Sequence, residues 1–240
     1  MQVALLRVGI DTGSGGIHGP LFRDGSFEFV PIRDEHNRFG VNKDTYANTK
    51  GRQGRPFIDY FPDLWRERRK NSFIHHDPEF ETFTYGDPTR PKAGLRNLAR
   101  GDLLVFYAGL EGWDFRCAPA LYIIGYFEVL KAGLAAQFTP RGITRDFARN
   151  FHVRHKPVFE DQKDRLVLVK GGPASRLLNK AALISSEGTD CNGRGLKVLS
   201  PKMRKIFGDF DGRVSIQRSP PRWVDPAFVE KAAKFLSLLE

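Results

Sequence analysis

Four short segments of this chain concentrate side chains that can do chemistry. The first is Trp113, Asp114, Phe115 and Arg116, which puts an indole, a phenyl ring, a carboxylate and a guanidinium in four consecutive positions. Such groups can stack on a flat heterocycle and hydrogen-bond its edge. The same residues also suit a loop that closes the end of a buried sheet. The second segment is GIDTGSGGIHGPLF, residues 9–22. Its glycines permit tight backbone and close approach to a ligand, and Asp11, Thr12, Ser14 and His18 add polar groups. It is not a dinucleotide fingerprint, because the third glycine of G-x-G-x-x-G, counted from Gly13, is His18, and a hairpin rather than a helix follows. It is not a Walker A loop either, because no lysine stands at the required spacing. Gly13, Ser14, Gly15 and Gly16 form a candidate phosphate cradle, with a purely structural turn as the competing reading.

The third segment is VLVKGGPASRLLNKA, residues 167–181. Read alone, it is a strand ending at Lys170, a Gly171-Gly172 turn and a helix opening near Ser175. A helix N-terminus presents free N–H groups to phosphate, with Lys170 and Arg176 adding charge. A capped strand-to-helix connection reads the same way. The fourth segment covers residues 141–156, where Arg141, Arg145 and Arg149 recur every fourth residue. That spacing predicts a basic helical face, able to track phosphates or simply to be solvated.

Metal and nucleophile chemistry have thinner support. His75-His76-Asp77 holds adjacent histidines that point apart on most backbones, and His152 and His155 are three apart with no HExxH pattern or clear third carboxylate. No bound metal and no cofactor are expected. The two cysteines, Cys117 and Cys191, make no CxxC, which excludes a zinc ribbon and argues against a disulfide framework. No GxSxG occurs.

The elements that must carry these residues follow from pattern. Residues 101–130 read as two buried strands, 103–107 and 121–130, rich in Leu, Val, Ile, Phe and Tyr and joined by the aromatic loop. Residues 3–8 read as an opening strand, and residues 20–32 as a hairpin turning at Asp24-Gly25. Pro62 opens a short helix. Residues 93–99 give one or two helical turns, and 165–169 a strand. Ser200-Pro201 and Asp225-Pro226 start two C-terminal helices, the first stopped by Gly208. The last carries Phe228, Ala232, Phe235, Leu236 and Leu239 as an apolar stripe suited to core packing. Short strands mixed irregularly with helices predict an α+β fold, and the lack of any linker predicts one elaborated domain over residues 1–240.

The chain has 38 Lys and Arg against 28 Asp and Glu, a formal net charge of +10 over 240 residues. That field favours polyanions, nucleic acid first and an anionic surface second. The opening residues are too short an apolar run for a signal peptide, and no stretch approaches a membrane span. A cytoplasmic protein with reduced thiols and no membrane partner is expected.

Several segments together resemble the nucleotide modification associated domain 3 family. They are RVGIDTGSGGIHGPLFRDGSFEFVPI, HHDPEFETFTYGDP, GDLLVFYAGL, LYIIGYFEV, GGPASRLLNKAALIS, LKVLSPKMRKIFGDF and SIQRSPPRWV. The family occurs in bacteria and phages, and its name comes from gene neighbourhoods. The GDLLVFYAG…LYIIGYFEV core also resembles the PUA-like superfamily, which includes EVE, ASCH and YTH modules. That resemblance implies a mixed PUA-like β-barrel with flanking helices and long loops. It also implies an aromatic pocket for an unpaired base, for which Tyr107, Trp113, Phe115 and Arg116 are the candidates. The glycine-rich segments and the arginines would then hold backbone phosphates. The function expected is a nucleic-acid-binding module that recognises a modified base in DNA or RNA. The alternative is an enzyme acting on nucleotides or modified bases, with Asp11, His18 and Asp114 as acid–base candidates.

Overall fold

Apolar runs without polar alternation mark strands buried on both faces, and the two longest such runs organise this molecule. The structure is a computed structural model describing residues 1–11, 16–34, 37, 39–190, 192–216 and 220–240. In chain order its elements begin with β1 (Val3–Arg7), β2 (Gly19–Leu21), β3 (Ile32–Arg33), α1 (Asp63–Arg69), β4 (Ile74–His75) and β5 (Thr84–Asp87). A 3-10 segment, Arg90–Asn97, leads to β6 (Leu103–Gly112) and β7 (Ala120–Leu134). Next come α2 (Pro140–Phe147), α3 (Phe151–Arg154), α4 (Lys156–Gln162), β8 (Val167–Gly171), β9 (Arg176–Leu183), β10 (Ser185–Thr189) and β11 (Gly195–Leu199). The chain closes with α5 (Pro201–Phe207), β12 (Arg222–Trp223) and α6 (Val229–Ser237).

The β6–β7 hairpin is the centre of an eight-stranded mixed sheet whose path runs β12-β1-β6-β7-β8-β5. β1 lies parallel to β6, with Val3 opposite Leu103 and Arg7 opposite Tyr107. β2 continues along the same edge of β6, from Gly19 opposite Leu110. The other edge of β7 is shared: β9 pairs with its first half and β8 with its second, with register breaks at Ile123/Gly125 and Val129/Lys131. Such breaks bend a long strand and increase its twist, so one strand serves two partners. Among the described residues the strand path stays open and does not close into a barrel.

The main core lies around β1, β6 and β7, where Leu5, Leu6, Leu104, Phe106, Ile124 and Phe127 are fully buried. Phe80, Phe106 and Phe127 meet edge-to-face with centroids 4.6–5.6 Å apart, the geometry aromatic quadrupoles favour. The α6 stripe closes this core through Ala232 and Leu236, with Phe228, Phe235 and Leu239 packed beside them. A second cluster gathers Ile10, Val30, Tyr46, Phe57, Phe61 and Ile74, and a third sets Ile143 and Phe147 of α2 against Leu166 and Leu168. Among the described residues no helix is long and apolar enough to cross a membrane.

Several elements stand as their local signals require. The Asp24-Gly25 turn forms, with Gly25 at φ +87° and Phe22 N–H donating to Ser26 O at 2.8 Å. Ser200 caps α5 by accepting the Met203 N–H, and Gly208 ends it at φ +76°. Two expectations are corrected. Residues 176–183 are strand β9, not a helix, because the free edge of β7 needs a partner; Tyr126 pairs Arg176 and Tyr122 pairs Leu183. Tertiary pairing outweighs the helix propensity of SRLLNKAA. The basic segment is not one helix. α2 stops at Phe147, and Asn150 restarts the chain by accepting the His152 N–H at the head of α3.

Candidate functional site

The segment HHDP puts His75 at the end of β4, held in place where Arg33 pairs Ile74 and Ile32 pairs His75. Two residues later Asp77 is buried, and its Oδ2 accepts the Gly86 N–H from β5 at 2.7 Å. From the far side, α3 brings His152. Its cap residue Asn150 is itself buried and reaches Asp77 Oδ2 through Nδ2 at 3.4 Å. Three side chains far apart in sequence therefore meet. His75 Nε2 and His152 Nε2 are 3.1 Å apart, and His152 Nε2 lies 3.7 Å from Asp77 Oδ2. One ligand atom from each of the three lies within 4.8 Å of the others.

Surrounding groups fix this cluster. His152 Nδ1 is 2.6 Å from Gln162 Oε1 at the end of α4. A carbonyl oxygen only accepts, so Nδ1 carries the proton and Nε2 presents its lone pair. The His75 ring stacks on Phe151 with centroids 4.0 Å apart and 22° between planes. Burial drives His75 well below the ordinary histidine range, reinforced by repulsion from His152, and lowers His152 as well. Burial drives Asp77 well above the usual carboxylate range, against the opposing Gly86 hydrogen bond. Asp77 Oδ1 is buried without a hydrogen-bond partner among the described residues.

His75 and His152 form part of the wall of a cavity of about 530 Å³, within the range of small-molecule sites. Phe39, Phe151 and Val158 give it apolar walls. Arg33, Lys92 and Arg165 contribute three cations, and Asp34, Asp87 and Asp161 three carboxylates. Lys92 pairs with Asp87 at 3.2 Å and Arg165 with Asp161 at 3.1 Å. His76 faces elsewhere, into a smaller cavity of about 290 Å³ with Glu28, Arg52, Glu79 and Arg149. Burial raises Glu28 there.

The sequence candidates fall in different places. Asp11 and His18 do come together: both flank Gly109, where a Cβ would stand 3.0 Å from each side chain. Asp11 is ion-paired to Arg7, and His18 Nδ1 lies 3.4 Å from Glu111, with burial lowering the histidine. Asp114 is committed to the hairpin, accepting the Arg23 N–H at 3.0 Å. Gly13, Ser14 and Gly15 lie outside the described residues, as does Cys191; Gly16 is exposed at φ +78°.

Of the aromatic set, Trp113 is 39% exposed and its ring meets Tyr60 edge-on at 5.4 Å. Phe115 is half-buried against the main core and Arg116 is exposed. Tyr107 does not join them. It is fully buried and its hydroxyl donates to Ile216 O at 2.8 Å, so it holds the core rather than a base.

The second glycine segment is not a helix N-terminus, since β9 follows it. Ser175 Oγ accepts the Glu128 N–H at 3.1 Å, Gly172 N–H donates to Glu128 O at 2.7 Å, and Lys170 Nζ is bonded to Thr82 O. A Cβ on Gly171 would collide with Ser175 Oγ, so glycine is required for packing there. Arg176 lies over Tyr126 at 5.5 Å. Arg141 and Arg145 share one face of α2, exposed, with Arg145 bound to Asp146 at 2.9 Å. Arg149 follows the helix end and pairs with Glu81, so the three do not form one stripe.

The site that sequence reading passed over was visible in halves. HHDP and the FHVRH run of α3 each held metal-capable side chains, but 77 residues separate His75 from His152. Their meeting depends on β5 and α3 packing together.

Fold and site together define an α+β protein built on one large mixed sheet, with a His–Asp–His cluster, Asp77 and His152 buried and His75 partly so, beside a cavity of about 530 Å³. The model of the nucleotide modification associated domain 3 family matches residues 2–235, and the chain belongs to that family. The family name implies a role in nucleotide modification systems. No curated protein and no solved structure matches the chain.

Proposed function

We propose that this protein binds nucleic acid and receives a single nucleobase, normal or modified, in the His75–His152 cavity. The observation that carries the reading is the composition of that cavity: aromatic walls, three histidines (His75, His152 and His155), and three cations balanced by three carboxylates. Balanced walls do not select a triphosphate; they suit a heterocycle whose edge offers both donors and acceptors. The excess charge of +10 supplies sequence-independent attraction to phosphates outside the cavity. A base must leave its stack to enter, which costs a few kcal/mol and favours unpaired or altered bases. His75 and His152 give the enzymatic reading its place, as acid–base groups in the cavity wall.

A second reading keeps recognition at the aromatic loop, as in PUA-like modules. The partly exposed Trp113 beside exposed Arg116 favours it. One experiment separates the two: titration of the full chain with single-stranded oligonucleotides carrying normal or hypermodified pyrimidines, at low and high salt. Under the cavity reading, His152→Gln removes base preference and Trp113→Ala retains it. The reverse pattern refutes the cavity and establishes the loop.

A further inference from the structure

We infer that His75 Nε2, His152 Nε2 and one oxygen of Asp77 bind a first-row transition-metal dication, with the remaining coordination positions open to the cavity. Three observations made independently of function point there. The two nitrogens lie 3.1 Å apart, a spacing that bonds of about 2.1 Å span at an angle of roughly 95°. Asp77 Oδ2, the oxygen 3.7 Å from His152 Nε2, already accepts the Gly86 N–H, whereas Oδ1 of the same carboxylate is buried and unpartnered among the described residues. Leaving a carboxylate oxygen buried and unsatisfied is costly, and a cation is the partner that removes the cost. Third, Gln162 holds Nδ1 of His152 and so directs the lone pair of Nε2 inward, the outer-shell arrangement that orients ligating histidines.

The ligand set decides the class of ion. Two imidazoles and one carboxylate suit zinc, iron, cobalt or nickel rather than magnesium or calcium, which favour all-oxygen sites. The three atoms lie within 4.8 Å of one another, and ligands on bonds of about 2.1 Å in a tetrahedral site stand about 3.4 Å apart, so the carboxylate closes by about an ångström as the ion enters. His75 is accessible from the cavity while Asp77 is not one of its lining residues, so open positions face the cavity and a water or a base atom can occupy them. The catalytic meaning of the centre rests on the nucleobase reading; its existence does not.

The test uses the full chain stripped with a chelator, then titrated separately with Zn²⁺, Fe²⁺, Co²⁺ and Mg²⁺. Metal content after gel filtration, and the visible spectrum of the Co²⁺ form, are the readouts. One equivalent of a transition metal per chain is expected, with no retention of Mg²⁺. Asp77→Asn and His75→Ala should weaken binding at least a hundredfold, Gln162→Leu about 10–100-fold, and His76→Ala not at all. Circular dichroism confirms folding of each variant, and Asp77→Asn keeps the acceptor for Gly86. Failure to retain any of the four ions, or equal retention in Asp77→Asn and the parent, overturns the inference. Metal retention without base binding sinks the nucleobase reading alone, and base binding by metal-free protein with no retention sinks the metal alone.

Discussion

Tyr107 offers the sharpest separation of stability from function. Replacing it by Phe removes one oxygen and nothing else. The lost atom donates to Ile216 O at 2.8 Å in a fully buried site, and burial raises the phenol so that it stays protonated at neutral pH. Losing the bond itself costs about 1 kcal/mol, and leaving the Ile216 carbonyl without its partner raises the total to about 1–3 kcal/mol. With a urea m-value near 3 kcal/mol/M, the midpoint falls by roughly 0.3–1 M. The assay is urea unfolding followed by tryptophan fluorescence, run beside the oligonucleotide titration. Oligonucleotide affinity and base preference should be unchanged. A variant with the parent midpoint but no base preference would refute the assignment of this ring to the core and return it to the binding surface.

Further outcomes follow from other parts of the molecule. Gly86→Ala would place a methyl 2.8 Å from Asn150 Oδ1 and 2.9 Å from the His152 ring; calorimetry should show a loss of about 1–3 kcal/mol, together with weaker oligonucleotide binding. Asp146 is held below its ordinary value first by the Arg145 hydrogen bond, with Lys131 contributing. Its contribution is therefore complete above about pH 4 and lost as pH falls through the depressed folded value. Asp146→Asn should lower the urea midpoint at pH 7, with the difference from the parent shrinking progressively as pH falls below about 4, and equal midpoints at pH 7 would show the pair contributes nothing. Ending the chain after Pro221 removes β12 and the buried Val229, Ala232 and Leu236 of α6; loss of a cooperative thermal transition is expected.

What the sequence disclosed, and what it hid, divides along the range of the interactions. β1, the β6–β7 pair, the Asp24-Gly25 turn and the α5 boundaries depend on residues within a few positions of one another, and each has a local signal. β9 has none. Leu177, Leu178 and Ala181 fit a helical stripe as well as a strand, and only the vacant edge of β7 decides. The basic helix failed at Asn150, whose cap function is local but competes with the arginine spacing around it. At the site, HHDP and FHVRH were each legible, while their convergence is carried by Asn150, which caps α3 and also touches Asp77. The glycines at 171 and 172 carried a phosphate signature that β7 explains by close packing.

The parallel pairing of β1 with β6 sets a timetable for the growing chain. Val3 faces Leu103, so at about 5–20 residues per second the apolar strand waits roughly 5–20 s on the ribosome before its first sheet partner is made. Its other neighbour, Trp223 opposite Ala4, arrives later still. Throughout that interval VALLRV is an unpaired, β-prone segment. Yield in cells should therefore depend on holdase chaperones and translation rate more than on the stability of the finished fold.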